Sequence, residues 1–252
     1  MRKFETSNIF LYGKGVFTTV SIVSGGPVLW PKHWQRLAAN AMTVGIDLSG
    51  FGEQAVFERL NEKIAEDVIF NGRARLTFSD EEKAAIWRNS EQVISNTRLH
   101  ITTGISRTIP DVFKLTVSSY PVNSRSPLAG VKSCNYLENL MALDEAKARG
   151  FHEAIRVNER GEVTSAAMAN LFWLKDGMLF TPSLATGCLA GTTREFVMES
   201  LDCREVEVGI EELNSADAIY LTSAGLGIVA AAEFDGRKLD GPPNQITKIL
   251  TR

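Results

Sequence analysis

The sequence predicts an α+β protein built from two domains. Strand and helix patterns alternate along both halves of the chain, residues 121–130 break every periodicity, and 252 residues suffice for two small cores. Pro, Gly and Ser are concentrated in this break, as in linkers between domains. We therefore expect a small N-terminal α/β domain over residues 1–120, a linker over 121–130 and a larger domain over 131–252.

In the first half, β-branched and aromatic residues predict strands, and apolar residues at spacings of three and four predict helices. The expected strands cover residues 12–23, 73–78 and 114–120. The expected helices cover residues 31–45, where Pro31 suits a first turn, and residues 51–70.

In the second half of the chain, strand and helix patterns alternate in the same way. One helix is expected over residues 135–149, ending at Gly150, and another over residues 192–201. The pair Asp176-Gly177 between two apolar runs is a hairpin signal. The expected strands cover residues 154–157, 163–166, 171–174, 178–181 and 218–222.

Composition excludes several function classes. The net charge of -3 offers no broad basic field for nucleic acid. The sequence contains no apolar run long enough to span a bilayer, and residues 1–5 lack the apolar core of a signal peptide. These features predict a cytoplasmic protein that binds neither nucleic acid nor membrane.

Cysteine and histidine usage gives no indication of a metal site. The three cysteines are far apart, which argues against a disulfide framework, and three histidines without a CxxC pair argue against structural zinc. Cys134 follows Lys132 closely, but it is better interpreted as a small apolar residue that fills space.

Short motifs carry a resemblance to a known family. They are Y-G-x-G-x-F-x-T at residues 12–19, H-x-x-R-L at 33–37, the segment 126–137 around Lys132, G-x-V at 161–163, N-L-F at 170–172, T-P at 181–182 and G-T-T-R at 191–194. In this order and spacing they resemble class IV aminotransferases, the pyridoxal-phosphate (PLP) enzymes of fold type IV. The resemblance implies a second domain with a β-barrel-like core, PLP as cofactor, a small amino-acid-like substrate and a homodimer.

Three residues receive direct roles from this resemblance. Lys132 is expected to form the Schiff base, which requires an amine that is partly deprotonated. Tyr136 lies four residues further on, one turn of the expected helix, and would hydrogen-bond the phenolic oxygen of the cofactor. Arg36 would bind the phosphate, because a guanidinium matches phosphate oxygens in a fork geometry.

Further cofactor contacts are expected from the second half of the chain. Thr192 and Thr193 begin a predicted helix, where backbone N–H groups and the helix dipole favour an anion. Ser223 and Ala224 occupy the second phosphate-contacting loop of the family. Asn170, in the N-L-F motif, completes the expected cofactor-binding residues.

One departure from the family pattern concerns the pyridine nitrogen. The family usually places a glutamate five residues before the asparagine of N-L-F, and here that position is Ser165. A serine hydroxyl can hydrogen-bond a neutral pyridine but cannot keep it protonated. Glu162 lies three residues away, and strand alternation directs it to the other face. Transamination should therefore suffer more than elimination.

Two reactions remain open within the family. The short chain, Thr19 near the expected substrate and the absence of a threonine at Ala224 favour a 4-amino-4-deoxychorismate lyase, which forms 4-aminobenzoate and pyruvate. The alternative is an amino acid aminotransferase of the branched-chain or D-amino acid type. The candidate substrate contacts are Tyr12, Phe17 and Arg75.

Two further classes also remain open. A PLP-binding homologue without catalytic activity would fit the combination of Lys132, Arg36 and Ser165. A ligand-binding module unrelated to PLP would give no visible imine absorption after PLP is added.

Overall fold

The computed structural model describes residues 6–87, 96–239 and 245–249, and the chain forms two compact units. The first unit contains Met1–Ser106 and Val131–Tyr136, and the second contains Arg107–Gly130 and Leu137–Arg252. The expected linker, residues 121–130, lies within the second unit in this division. The domain bounds expected from the sequence stay a prediction.

The first unit is built on a four-stranded antiparallel sheet in the order β2-β1-β3-β4. Its strands are β1 (Gly15–Val23), β2 (Gly26–Pro27), β3 (Gly72–Asp80) and β4 (Thr97–Ile105). A short helix, α1 (Asn8–Tyr12), precedes the sheet and ends at Gly13, which has a φ of 63°. The strand expected from residue 12 therefore begins three residues later.

Two helices cover one face of this sheet, α2 (Trp30–Thr43) and α3 (Glu53–Glu66). Alternate residues of β1 enter the core between sheet and helices, where Val16, Val20, Leu37 and Leu60 are fully buried. Both helices were expected from the sequence, but each ends before its expected last residue. A 3₁₀ turn, Ala85–Trp87, follows β3.

The second unit contains two five-stranded sheets. Its strands are β5 (Lys114–Val117), β6 (Glu153–Val157), β7 (Val163–Ala166), β8 (Asn170–Lys175), β9 (Met178–Pro182), β10 (Cys203–Val206), β11 (Ala218–Ser223), β12 (Gly227–Ala230), β13 (Glu233–Phe234) and β14 (Arg237–Lys238). One sheet has the order β14-β13-β5-β6-β7 and the other β10-β9-β8-β11-β12.

The two sheets of this unit share one apolar core. Leu115 and Ile155 from one sheet lie in the same cluster as Leu171, Trp173 and Leu221 from the other, and none of these side chains is exposed. Curled sheets around a common core confirm the expected α+β class with a barrel-like second part.

Helices cover the outside of these sheets. They are α4 (Leu137–Ala148), α5 (Thr192–Ser200) and α6 (Glu211–Asn214), with 3₁₀ turns at Leu184–Thr186 and Gln245–Lys248. Helix α4 contacts β6, and α5 contacts β11. Among the residues described here, no helix has both the length and the apolarity needed to cross a membrane.

Candidate active site

Lys132 is held against the first strand of the first unit by backbone hydrogen bonds. The N–H of Phe17 donates to the carbonyl of Lys132 at 2.9 Å, and the N–H of Cys134 donates to the carbonyl of Gly15 at 2.8 Å. Between them, Val16 and Ser133 form an antiparallel bridge. This pairing places Val131–Tyr136 in the first unit and puts Lys132 on the same face of the strand as Phe17.

The Lys132 amine contacts Tyr136, but the two residues are not one turn apart on a helix. Helix α4 begins only at Leu137, so residues 132–136 lie outside the helix. The Lys132 Nζ donates to the Tyr136 hydroxyl at 3.3 Å. The expectation of one helical turn between Lys132 and Tyr136 was wrong, and the expected hydrogen bond from Tyr136 to the cofactor stays a prediction.

An aromatic pair lies beside this amine. The Lys132 Nζ is 4.5 Å from the centre of the Phe17 ring and 4.9 Å from that of Tyr136. The two rings meet edge to face, with centres 5.2 Å apart. On the same ring, the Arg75 guanidinium carbon lies 3.5 Å from the centre of Phe17. Lys132 and Arg75 therefore both contact Phe17, one of the expected substrate residues.

Burial and two arginines lower the pKa of Lys132 to about 7. Removal of the amine from water is the largest cause, and the positive charges of Arg36 and Arg75 add to it. The rings of Phe17 and Tyr136 would favour the charged form, but their attraction is the smaller effect. Lys132 itself keeps partial exposure. Near neutral pH, much of this amine is therefore uncharged and can act as a nucleophile or a base.

Arg36 is oriented by a buried hydrogen-bond chain. Its Nη2 donates to the Thr18 Oγ1 at 2.9 Å, and that oxygen lies 2.7 Å from the His33 Nδ1. Burial, together with the charges of Arg36 and Lys132, lowers the pKa of His33 to about 3. His33 is therefore neutral, and in the tautomer with its proton on Nε2 it accepts the Thr18 hydroxyl proton at Nδ1, while the Thr18 oxygen accepts from Arg36.

Thr18 was absent from the residues expected from the sequence. A signal was present, because alternation along β1 places Thr18 on the core face between Val16 and Val20. Thr18 is fully buried, and a buried hydroxyl needs a partner. Two side chains of α2, His33 and Arg36, supply it.

The other residues expected near the substrate lie at different depths. Thr19 is paired directly across the sheet with Arg75. Tyr12 ends α1 and is 51% exposed.

Burial raises the pKa of the Cys134 thiol, while Arg75 opposes that shift, so Cys134 stays a thiol and not a thiolate.

In the second unit, the start of α5 is packed closely against Asn170. The Asn170 side-chain N–H donates to the Leu189 carbonyl at 2.7 Å. A Cβ at Gly191, the residue before the helix, would collide with the Asn170 Oδ1. Thr192 and Thr193 follow, each 3% exposed. A larger residue at position 191 would therefore require the Asn170 side chain or the loop to shift.

A second loop of this unit contains the other expected phosphate contacts. The Ser223 Oγ accepts from the Leu226 N–H at 3.2 Å, and Ala224 lies in the same turn. Thr222 is paired with Asn170 across β11 and β8. Its Oγ1 is buried and has no hydrogen-bond partner among the described residues, so it has a hydrogen bond to offer to a ligand.

Ser165 lies on β7 and is partly exposed. The nearby Glu162 carboxylate is bound by Asn158 at 2.7 Å and by Arg160 at 2.6 Å. A register shift in the β6–β7 pair invalidates the simple alternation argument from residue 162 to residue 165. The Glu162 carboxylate is instead occupied by these two contacts, with Asn158 and Arg160.

In the described part of the chain, no group of three or more His, Cys, Asp or Glu residues could hold a metal ion. The three cysteines are free thiols.

The chain resembles known proteins over nearly its whole length. The family model described as Amino-transferase class IV matches residues 15–234. An aminodeoxychorismate lyase of Bacillus subtilis is 28% identical over 96% of this chain and 84% of its own length. A putative 4-amino-4-deoxychorismate lyase of Legionella pneumophila has a TM-score of 0.87 at 27% identity, over 98% and 92% of the two chains. An aminotransferase of Brucella abortus bound to PLP has a TM-score of 0.84 at 25% identity, over 96% and 88%.

Proposed function

Because the chain belongs to the class IV aminotransferase family, we propose that it is a PLP-dependent enzyme in which Lys132 holds the cofactor. The observation that carries the proposal is the Lys132 amine, which donates to the Tyr136 hydroxyl and whose pKa is lowered to about 7 by burial and by the charges of Arg36 and Arg75. Such an amine condenses readily with an aldehyde, which a fully charged surface lysine does not.

Within the first unit, Lys132 and the residues around it have separate roles in the proposed reaction. When bound, PLP supplies an aldehyde for amines and a ring that withdraws electrons from the reacting carbon. With its amine free and uncharged, Lys132 would serve as the base for the proton of the substrate α-carbon. Tyr136 orients the Lys132 amine through its hydroxyl, and Arg36, fixed by Thr18, binds a phosphate oxygen.

We extend the proposal to the second unit on chemical grounds. The backbone N–H groups at Thr192 and Thr193, where α5 begins, favour a phosphate. The Ser223 and Ala224 turn is proposed as a second phosphate contact. Ser165 is proposed to meet the pyridine nitrogen, and Asn170 acts by holding the loop before α5.

The substrate side of the proposal rests on Arg75. Its guanidinium is stacked on Phe17 and its Nε donates to the Thr77 Oγ1 at 3.2 Å, so the terminal nitrogens are proposed to bind a carboxylate close to Lys132. Thr19, directly across the sheet, is proposed to contact the substrate near the reacting carbon. Tyr12 is proposed as an outer contact because of its exposure.

The reaction we favour is release of pyruvate and 4-aminobenzoate from 4-amino-4-deoxychorismate. Two relatives with this activity in their names support it, and the serine at position 165 suits elimination better than transamination. The second candidate is amino acid transamination, supported by the resemblance to the Brucella abortus aminotransferase.

A product assay separates these reactions. The enzyme is loaded with PLP and given 4-amino-4-deoxychorismate or, separately, L- and D-amino acids with 2-oxoglutarate. The lyase proposal expects 4-aminobenzoate and pyruvate in equal amounts, whereas glutamate formation would establish transamination. Lys132→Ala should abolish either product and the visible imine band, and Lys147→Ala, an exposed lysine on α4, serves as its matched control. Cofactor binding without any product would identify a PLP-binding homologue without activity.

We also propose a homodimer acting in the cytoplasm. Large apolar side chains are exposed on each unit, Phe10 and Trp87 on the first and Leu137 and Leu140 on the second. Light scattering on the purified protein measures the mass, and a 27.7 kDa particle would contradict the dimer.

A further inference from the structure

Ser165 has a buried arginine as its direct neighbour. In the antiparallel β6–β7 pair, Ser165 lies opposite Arg156, while Ile155 lies opposite Ala166. Ile155 and Ala166 belong to the core shared by the two sheets, so Arg156 and Ser165 occupy the other face. Side chains directly opposite on one face lie side by side, with Cβ atoms about 5 Å apart.

The positive charge of Arg156 is fixed in place. Its side chain is only 4% exposed. Its Nε donates to the Tyr120 carbonyl at 3.0 Å, and its Nη2 donates to the Pro121 carbonyl at 3.0 Å. Bonds to neutral carbonyls orient the guanidinium without cancelling its charge.

Little negative charge faces this pair. Glu138, on α4, approaches the Arg156 Nη2 at 3.3 Å, but its side chain is 75% exposed, so water screens it. Glu153 lies three residues before Arg156 on the regular part of β6, which directs it to the opposite face, and its Oε1 accepts from the Ala154 N–H. Among the described residues, the Ser165 hydroxyl has no hydrogen-bond partner, so it is available to a ligand.

We propose that Arg156 and Ser165 together keep the pyridine nitrogen of bound PLP unprotonated. The inference rests on the proposed function, in which Ser165 meets that nitrogen. A serine hydroxyl donates to the lone pair of a neutral ring nitrogen, and a neighbouring guanidinium makes a second positive charge on the ring unfavourable. Arg156 acts through the electrostatic field at the ring and is a positioning residue, not a catalytic one.

The consequence is a cofactor with reduced electron withdrawal. Reactions that must stabilise a long-lived carbanion become slower, whereas reactions in which a leaving group departs at once lose less. The pair therefore biases the enzyme towards elimination and away from exchange of amino groups. It also distinguishes this chain from one that has merely lost a glutamate, because the opposite strand carries a buried cation.

The protonation state can be read directly, without an activity measurement. The protein is loaded with PLP carrying ¹⁵N at the ring nitrogen, and the ¹⁵N resonance is recorded at and below neutral pH. We expect the wild-type resonance at the position of a neutral ring. A resonance at the position of a protonated ring at neutral pH would overturn the proposal, whatever the variants do.

Variants test the two side chains separately. The double variant Arg156→Leu with Ser165→Glu should move the resonance to the protonated position, and Arg156→Leu alone should raise the pH at which the ring takes up its proton. Arg204→Leu removes an exposed arginine from β10 and should change neither. Circular dichroism checks folding, and if the Arg156 variants do not fold, the wild-type spectrum decides alone.

The two levels of the proposal fail in different ways. A PLP-loaded protein with no visible imine band, or a band that persists in Lys132→Ala, contradicts the proposed function and the inference together. An imine band that depends on Lys132 but belongs to a protonated ring leaves the proposed function intact and contradicts only the role of Arg156 and Ser165.

Discussion

The backbone N–H of Phe17 donates to the carbonyl of Lys132 at 2.9 Å, so the backbone of Lys132 is hydrogen-bonded to β1, a strand near the start of the sequence. A carbonyl held in this way fixes where the side chain starts, and the Tyr136 hydroxyl fixes where it ends. Because such an amine needs little reorganisation before it reacts, its position as well as its pKa suits capture of an aldehyde.

The first prediction concerns the pH dependence of cofactor capture. Because the pKa of Lys132 is lowered to about 7, the reactive neutral amine is lost as the pH falls through 7. We expect the rate at which the visible imine band appears to fall about tenfold for each pH unit below that value. Stopped-flow absorbance with excess PLP measures it. A midpoint near 10 would show that Lys132 behaves as an ordinary surface lysine.

The second prediction concerns stability without cofactor. A lysine whose pKa is lowered in the folded state destabilises the fold fully below pH 7, and this destabilisation disappears as the pH rises towards the unfolded value of 10.5. Lys132→Met should therefore stabilise the cofactor-free protein below pH 7 by about 2 kcal/mol, less than the full conversion of the shift because the side chain is partly exposed. Urea unfolding below pH 7 and again above pH 10 measures the difference. Equal stabilisation at both pH values would contradict the electrostatic origin.

The third prediction concerns Thr18. Thr18→Val removes the oxygen that accepts from Arg36 and takes away the hydroxyl that is hydrogen-bonded to the His33 Nδ1. We expect PLP affinity to fall about tenfold, the worth of about one well-placed hydrogen bond. Thr18→Ser should restore most of the affinity because it keeps the hydroxyl. Thr43→Val, on the exposed end of α2, is the matched control.

Equilibrium titration with PLP, followed by absorbance, measures these affinities. If Thr18→Val bound PLP as tightly as the wild type, the hydrogen-bond chain from His33 to Arg36 would have no role in holding the phosphate.

The fourth prediction concerns Gly191. Gly191→Ala places a methyl group against the Asn170 Oδ1, so the Asn170 side chain or the loop before α5 must move. We expect a loss of about 1–3 kcal/mol in the free energy of unfolding, as for other overpacked sites, and weaker PLP binding. Gly50→Ala, where a Cβ would meet nothing within 4 Å, is the control.

A double variant tests the cause of that loss. Asn170→Ala removes the colliding atom, so Gly191→Ala should be less destabilising in that background than in the wild type. Thermal unfolding of the four proteins gives the coupling, and additive effects would show that the collision is not the cause.

Local sequence patterns predicted much of the architecture. Apolar periodicity located α2, α3 and α5, and the Asp176-Gly177 pair located the turn between β8 and β9, because these elements depend on neighbours in the chain. The strand β4, Thr97–Ile105, was missed, although Leu99 and Ile101 alternate with exposed residues and pack against the core of the first unit. Its pairing with β3, which the structure shows along all nine residues, does not appear in the local pattern.

The sequence alone was sufficient to identify Lys132, Tyr136 and Arg36 as residues of interest, because each occurs in a recognisable motif. Only the tertiary structure placed the extended segment 132–134 on the edge of β1, joined Arg36 to His33 through Thr18, and set Arg156 opposite Ser165. These relationships depend on strand register and on burial, which bring distant residues together and change their charge states, and neither quantity can be read from the order of residues along the chain.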